Sequence, residues 1–72
     1  MRGKAYAIMN WKDIVEISLS LDNAQEILMD YAFDNGLETF NHYLLAGYPE
    51  DVARREANFD MAQWRIWIFS LV

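Results

Sequence analysis

Hydrophobic and polar positions alternate from Ile14 to Leu21. Val15, Ile17, Leu19 and Leu21 share one face, and Glu16, Ser18 and Ser20 share the other. A period of two marks a half-buried strand. Upstream, Lys4 to Met9 reads as a short strand. The intervening Asn10-Trp11-Lys12-Asp13 is turn-like, because Asn and Asp side chains bond nearby backbone. The pattern predicts an antiparallel hairpin.

From Asp22 the period lengthens. Asp22-Asn23-Ala24-Gln25 has the form of a capping box with an acid at the N-cap. A helix is expected to about Asp34, with Ala24, Ile27, Leu28, Tyr31 and Ala32 as its apolar stripe. Asn35-Gly36 predicts its end, since glycine is the usual residue past a helix C-terminus. A second helix, Leu37 to Ala46, is expected to turn Leu37, Phe40, Tyr43 and Leu44 inward and to end at Gly47. Pro49 predicts the opening of a third helix. Its first turn holds Glu50 and Asp51, where the helix dipole favours acids. Glu50–Arg54 and Asp51–Arg55 form supporting i, i+4 pairs.

The stretch from Trp64 to Val72 is aromatic and β-branched, a strand with two apolar faces interrupted by Arg65 and Ser70. That suits a central strand, or one whose second face meets another protein. The expected fold is a single α+β domain over residues 1–72. A small antiparallel sheet, made of the N-terminal hairpin plus the C-terminal strand, carries two to three helices on one face in the order β-β-α-α-α-β.

Composition narrows the picture. Seventy-two residues make one domain and bury only about 60% of the unfolded surface. With no cysteine there is no disulfide and no thiolate metal site. The chain is 54% hydrophobic and 15% aromatic, which argues against disorder and for apolar surface buried against a partner or a second copy. No apolar run approaches the ~18 residues of a membrane span, and MRGKAYAIMN lacks a secretory pattern. No membrane association and a cytoplasmic location are expected.

Charge changes the picture most. The net charge is −5, and every basic residue lies near an end: Arg2, Lys4 and Lys12, then Arg54, Arg55 and Arg65. Between Asp13 and Ala53 there is no cation and there are nine acids. Five of these, Asp22, Glu26, Asp30, Asp34 and Glu38, recur every fourth residue. Like charges at i, i+4 cost a helix about 0.2–0.5 kcal/mol per pair, and no lysine is interleaved to relieve them. The ladder reads either as a solvated helix face or as an anionic surface for a basic groove on another protein, where complementary charge steers association. Direct nucleic-acid binding is disfavoured, because acidic helix faces repel phosphate.

Catalytic chemistry is not expected. His42 is the only histidine, with Glu38 one turn before it; two ligands do not make a metal site. Ser18, Ser20 and Ser70 have no second histidine as base. Gly3, Gly36 and Gly47 form no phosphate-cradling loop. No cofactor and no metal are expected. Trp11, in a turn with little core to enter, is a candidate partner-binding residue beside the acidic ladder.

Small size, excess acid, absent cysteine, absent catalytic residues and an α+β build together resemble the small acidic inhibitors encoded by phages and mobile elements, of the anti-CRISPR or anti-restriction type. The resemblance is one of kind over the whole length, and no residue carries over by alignment. It implies a stoichiometric inhibitor docking on a host protein with a basic, nucleic-acid-binding groove, in the host cytoplasm. The alternative expectation is an interaction or structural subunit, antitoxin-like or homodimeric, that works through its apolar C-terminal strand, paired edge to edge with its copy.

Overall fold

A computed structural model describes residues 3–71. Arg2 and Val72, named above, lie outside the described residues. The elements are β1 (Gly3–Asn10), β2 (Asp13–Ser18), α1 (Leu21–Leu45), α2 (Glu50–Met61) and β3 (Trp64–Leu71). The fold is α+β in the order β-β-α-α-β, with two helices where three are predicted. The strands form one antiparallel sheet in the order β2-β1-β3. No helix among the described residues is long and apolar enough to cross a membrane.

The hairpin forms where the turn residues predict it. Trp11 has φ +58°, and its backbone N–H donates to the Gln63 carbonyl at 3.0 Å, which ties the hairpin tip to the approach to β3. β1 is the central strand and β3 an edge, not the reverse. β2 already occupies one side of β1 through the two-residue turn, so the returning chain takes the other side.

β2 ends at Ser18, short of Leu21. The Ser18 hydroxyl donates to the Ser20 carbonyl at 3.1 Å and accepts from Asn23 Nδ2 at 3.0 Å. Such local side-chain bonds compete with the strand ladder. Ser20, not Asp22, is the N-cap of α1, and its side chain accepts from the Asn23 N–H; Asp22 sits in the first turn.

α1 is a single helix of 25 residues, ~37 Å long. The expected break at Asn35-Gly36 is absent, because both residues are held by distant partners. The Asn35 side chain accepts a hydrogen bond from Trp64. Gly36 lies where α2 crosses: a Cβ there would sit 2.6 Å from both Cγ and Sδ of Met61. A C-terminal glycine signal thus becomes a packing notch. The helix stops at Leu45 instead, where Gly47 (φ +92°) takes a left-handed conformation and its N–H donates to the Leu44 carbonyl. Pro49 is the residue flanking α2, with Glu50 its first helical position.

Only α1 packs substantially on the sheet, and α2 packs on α1. Ala24 is fully buried and Ile27 and Leu28 are half-buried. Tyr31 stacks on Trp64 with ring centroids 5.1 Å apart. Beyond Asn35, α1 runs past the end of the sheet, and α2 returns along this overhang. Leu37 and Leu44, expected to point inward, are exposed, because α2 covers the Gly36 side instead; Phe40 and Tyr43 are half-buried. The molecule measures 54 × 19 × 14 Å with a radius of gyration of 14.9 Å, against about 11 Å for a compact chain of this length. Its core is thin: Ala7, Ile8, Ala24 and Ala53 are fully buried, and only Ile8 among them is large.

The register separates two faces of the sheet. Tyr6, Ile8 and Asn10 pair with Ile68, Ile66 and Trp64 on one side, and Tyr6 and Ile8 with Ser18 and Glu16 on the other. Trp64 meets α1, so this is the helix-covered face. Ala5, Ala7 and Met9 pair with Phe69, Trp67 and Arg65, and Ala7 and Met9 with Ile17 and Ile14. Among the described residues, no helix covers the second face. β2 is therefore turned opposite to expectation: Glu16 and Ser18 look toward α1, and Ile17 looks away. A bulge between Ile8 and Met9, with Val15 as the extra residue, interrupts the alternation.

Candidate acidic interface

A side chain four residues along a helix advances ~6 Å and turns ~40°. Asp22, Glu26, Asp30, Asp34 and Glu38 all lie on α1, and all are exposed. From first to last the row turns ~160°, so it winds around the helix and does not occupy one face. Asp30 and Asp34 come round to the flank of α1 that overlooks β2. There they line an open groove with Ile27, Tyr31 and Glu16. Glu16 is one of the acids, with Glu50 and Asp51, that the wide spacing of the ladder calls for as a supplement, and it is the one that lines this groove. Its alternation with Ile17 was readable; the side chosen by α1 was not.

Farther along, Glu38 lines a second open groove with Asn35, Thr39, His42, Tyr43 and Asp60. The Thr39 hydroxyl donates to Asp60 Oδ2, fastening α2 to α1. His42 is exposed and lies edge-on to Tyr43 at 5.6 Å. Among the described residues, no group of three or more His, Asp or Glu side chains is placed to hold a metal ion.

Where the cations go explains why the ladder stays open. Arg54 pairs with Glu50 at 2.6 Å, as expected, but Arg55 turns to Glu56 at 3.9 Å and not to Asp51. Both pairs lie on α2. Among the described residues, the five ladder acids and Glu16 take part in no salt bridge.

Trp11 does not join the acids. It is 61% exposed and lines a shallow depression with Lys12 and Arg65. Arg65 pairs with Met9 and so belongs to the uncovered side of the sheet. Of the six candidate residues, the structure brings Asp30 and Asp34 together with Glu16, sets Asp22, Glu26 and Glu38 farther around and along the same helix, and leaves Trp11 beside cations. No family model matches the chain, and no curated protein or solved structure matches it.

Proposed function

We propose that the protein is a non-enzymatic, stoichiometric inhibitor that lays the acidic flank of α1 in a basic, nucleic-acid-binding groove of a host defence or nucleic-acid-processing protein. The observation that carries this reading is the convergence of Glu16, Asp30 and Asp34 around one groove, exposed and outside every salt bridge among the described residues. One duplex strand carries a charge every ~3.4 Å, whereas ladder rungs are ~6 Å apart. Glu16 narrows that gap by adding a carboxylate from the neighbouring strand. A long, unbroken helix presents these charges from a rigid element, so little ordering cost opposes docking.

The test is displacement of nucleic acid. The partner captured from host lysate at low salt is loaded with a labelled duplex, and the wild-type chain is titrated in. Displacement is expected at equimolar protein and weakens steeply as salt rises. The variant Asp30→Lys/Asp34→Lys, with unchanged circular dichroism, is expected to require at least tenfold more protein. Equal displacement by both chains overturns the reading.

A second reading, an interaction subunit working through β3, has one specific observation in its favour: Trp67, Phe69 and Leu71 are exposed on a strand with a free edge.

A further inference from the structure

We infer that the partner meets the outer face of α1 with a cationic amphipathic helix, packed lengthwise on a seam that is acidic at one end and apolar at the other. Such a helix forms one wall of the basic groove that α1 enters, so the inference rests on the acidic reading.

Spacing comes first. Phe33, Leu37, Phe40 and Leu44 recur on α1 at steps of four, three and four residues. That is the spacing of the d and a positions in a coiled-coil seam. Continued toward the N-terminus by steps of three and four, the same seam holds Asp30 and Glu26. At about 100° per residue, all six fall within an arc of ~80°. They lie nearly opposite Tyr31 and Asn35, the residues that hold Trp64 of the sheet.

Burial does not follow the period. A row of large apolar side chains at helical spacing ordinarily faces a core, yet Phe33 is 65% and Leu37 49% exposed. Leu44 is exposed as well, and Phe40 is half-buried. α2 lies to one side, against Gly36, and leaves the seam open. Single exposed apolar residues are ordinary; a row of them in register marks a contact surface.

Charge complementarity selects the occupant. α1 carries five acids and no lysine or arginine. Glu26 and Asp30 lie in the seam. Asp34 flanks Phe33 at an e position, where coiled coils place the charges that choose their partners. Among the described residues, none of these three takes part in a salt bridge. A helix with Lys or Arg opposite this end, and leucine-like side chains opposite the other, satisfies both halves along ~27 Å. A helix is also the element whose side chains recur with the same period, so it stays in step over that length, whereas a strand does not.

Other occupants fit worse. A second copy in parallel sets carboxylates on carboxylates; antiparallel, it buries them unpaired against Phe40 and Leu44. A phosphate backbone is repelled by the acidic half and finds no donor in the apolar half.

Fluorescence anisotropy tests this with a labelled synthetic helix of about three heptads. It carries leucine at the a and d positions of two heptads and lysine at those of the third. The wild-type chain is expected to bind it at least tenfold more tightly than a shuffled peptide of the same composition; equal affinities overturn the inference. Phe33→Ser, at an exposed position, is expected to weaken binding at least tenfold with circular dichroism unchanged, and Asp30→Lys/Asp34→Lys to do the same. Leu45→Ser, exposed but off the seam, is expected to bind like wild type. If only the lysine variant loses binding, the attraction is charge alone and the inference falls, as it does if Leu45→Ser weakens binding as much as Phe33→Ser. A wild-type dimer in light scattering that Phe33→Ser dissolves gives the seam to a second copy and also overturns it. Failure of the acidic reading shows separately, as wild-type protein that does not displace nucleic acid.

Discussion

The indole Nε1–H of Trp64 donates to Oδ1 of Asn35 across 3.0 Å, joining the first residue of β3 to the middle of α1. Tyr31, one turn earlier, stacks on the same indole with the rings 8° from parallel. Asn35→Ala gains helix propensity, up to about 0.7 kcal/mol, but strands a half-buried indole donor, which costs about 1–3 kcal/mol. Net destabilisation of about 1 kcal/mol is expected in urea melts. In a Trp64→Phe background, which has no donor to strand, Asn35→Ala is expected to be neutral or slightly stabilising.

Gly36 reverses the usual sign of a glycine substitution. In an open helix interior, Gly→Ala stabilises by about 1 kcal/mol. Here the added Cβ collides with the middle of the Met61 side chain, and overpacking costs about 1–3 kcal/mol. Gly36→Ala is therefore expected to lower the thermal midpoint by several degrees. In a Met61→Ala background the same change is expected to raise it, so the double-mutant cycle isolates the notch.

Asp30→Lys separates stability from binding. It converts two repulsive i, i+4 contacts, with Glu26 and Asp34, into attractive ones. At about 0.2–0.5 kcal/mol per pair in each sense, the gain is about 1–2 kcal/mol. Thermal melts at low salt are expected to show this gain, and high salt to erase most of it. Weaker displacement of nucleic acid by the more stable protein is the signature of a row of charges kept for a partner.

Features decided by a few neighbouring residues were legible in the sequence. The turn at Trp11-Lys12, the cessation of helix before Gly47 and the aromatic strand from Trp64 all rest on local geometry. Asn35-Gly36 misled because its outcome depends on Met61 and Trp64, more than 20 residues away. Strand order and the orientation of β2 were hidden for a similar reason. Alternation tells which residues share a side with Ile17; it does not tell on which side α1 comes to rest. Exposure of the acidic ladder was readable from its period. That Glu16 joins it, and not Glu50 or Asp51, was not, since this depends on that same choice of side.

The winding of the acidic row limits the shape of what can grasp it. A flat surface touches two or three successive rungs and misses the others. Contact with Asp22 and Glu38 at once requires a receptor that curls nearly halfway around the rod. A clasping channel, not a plane, is the natural counterpart of this helix.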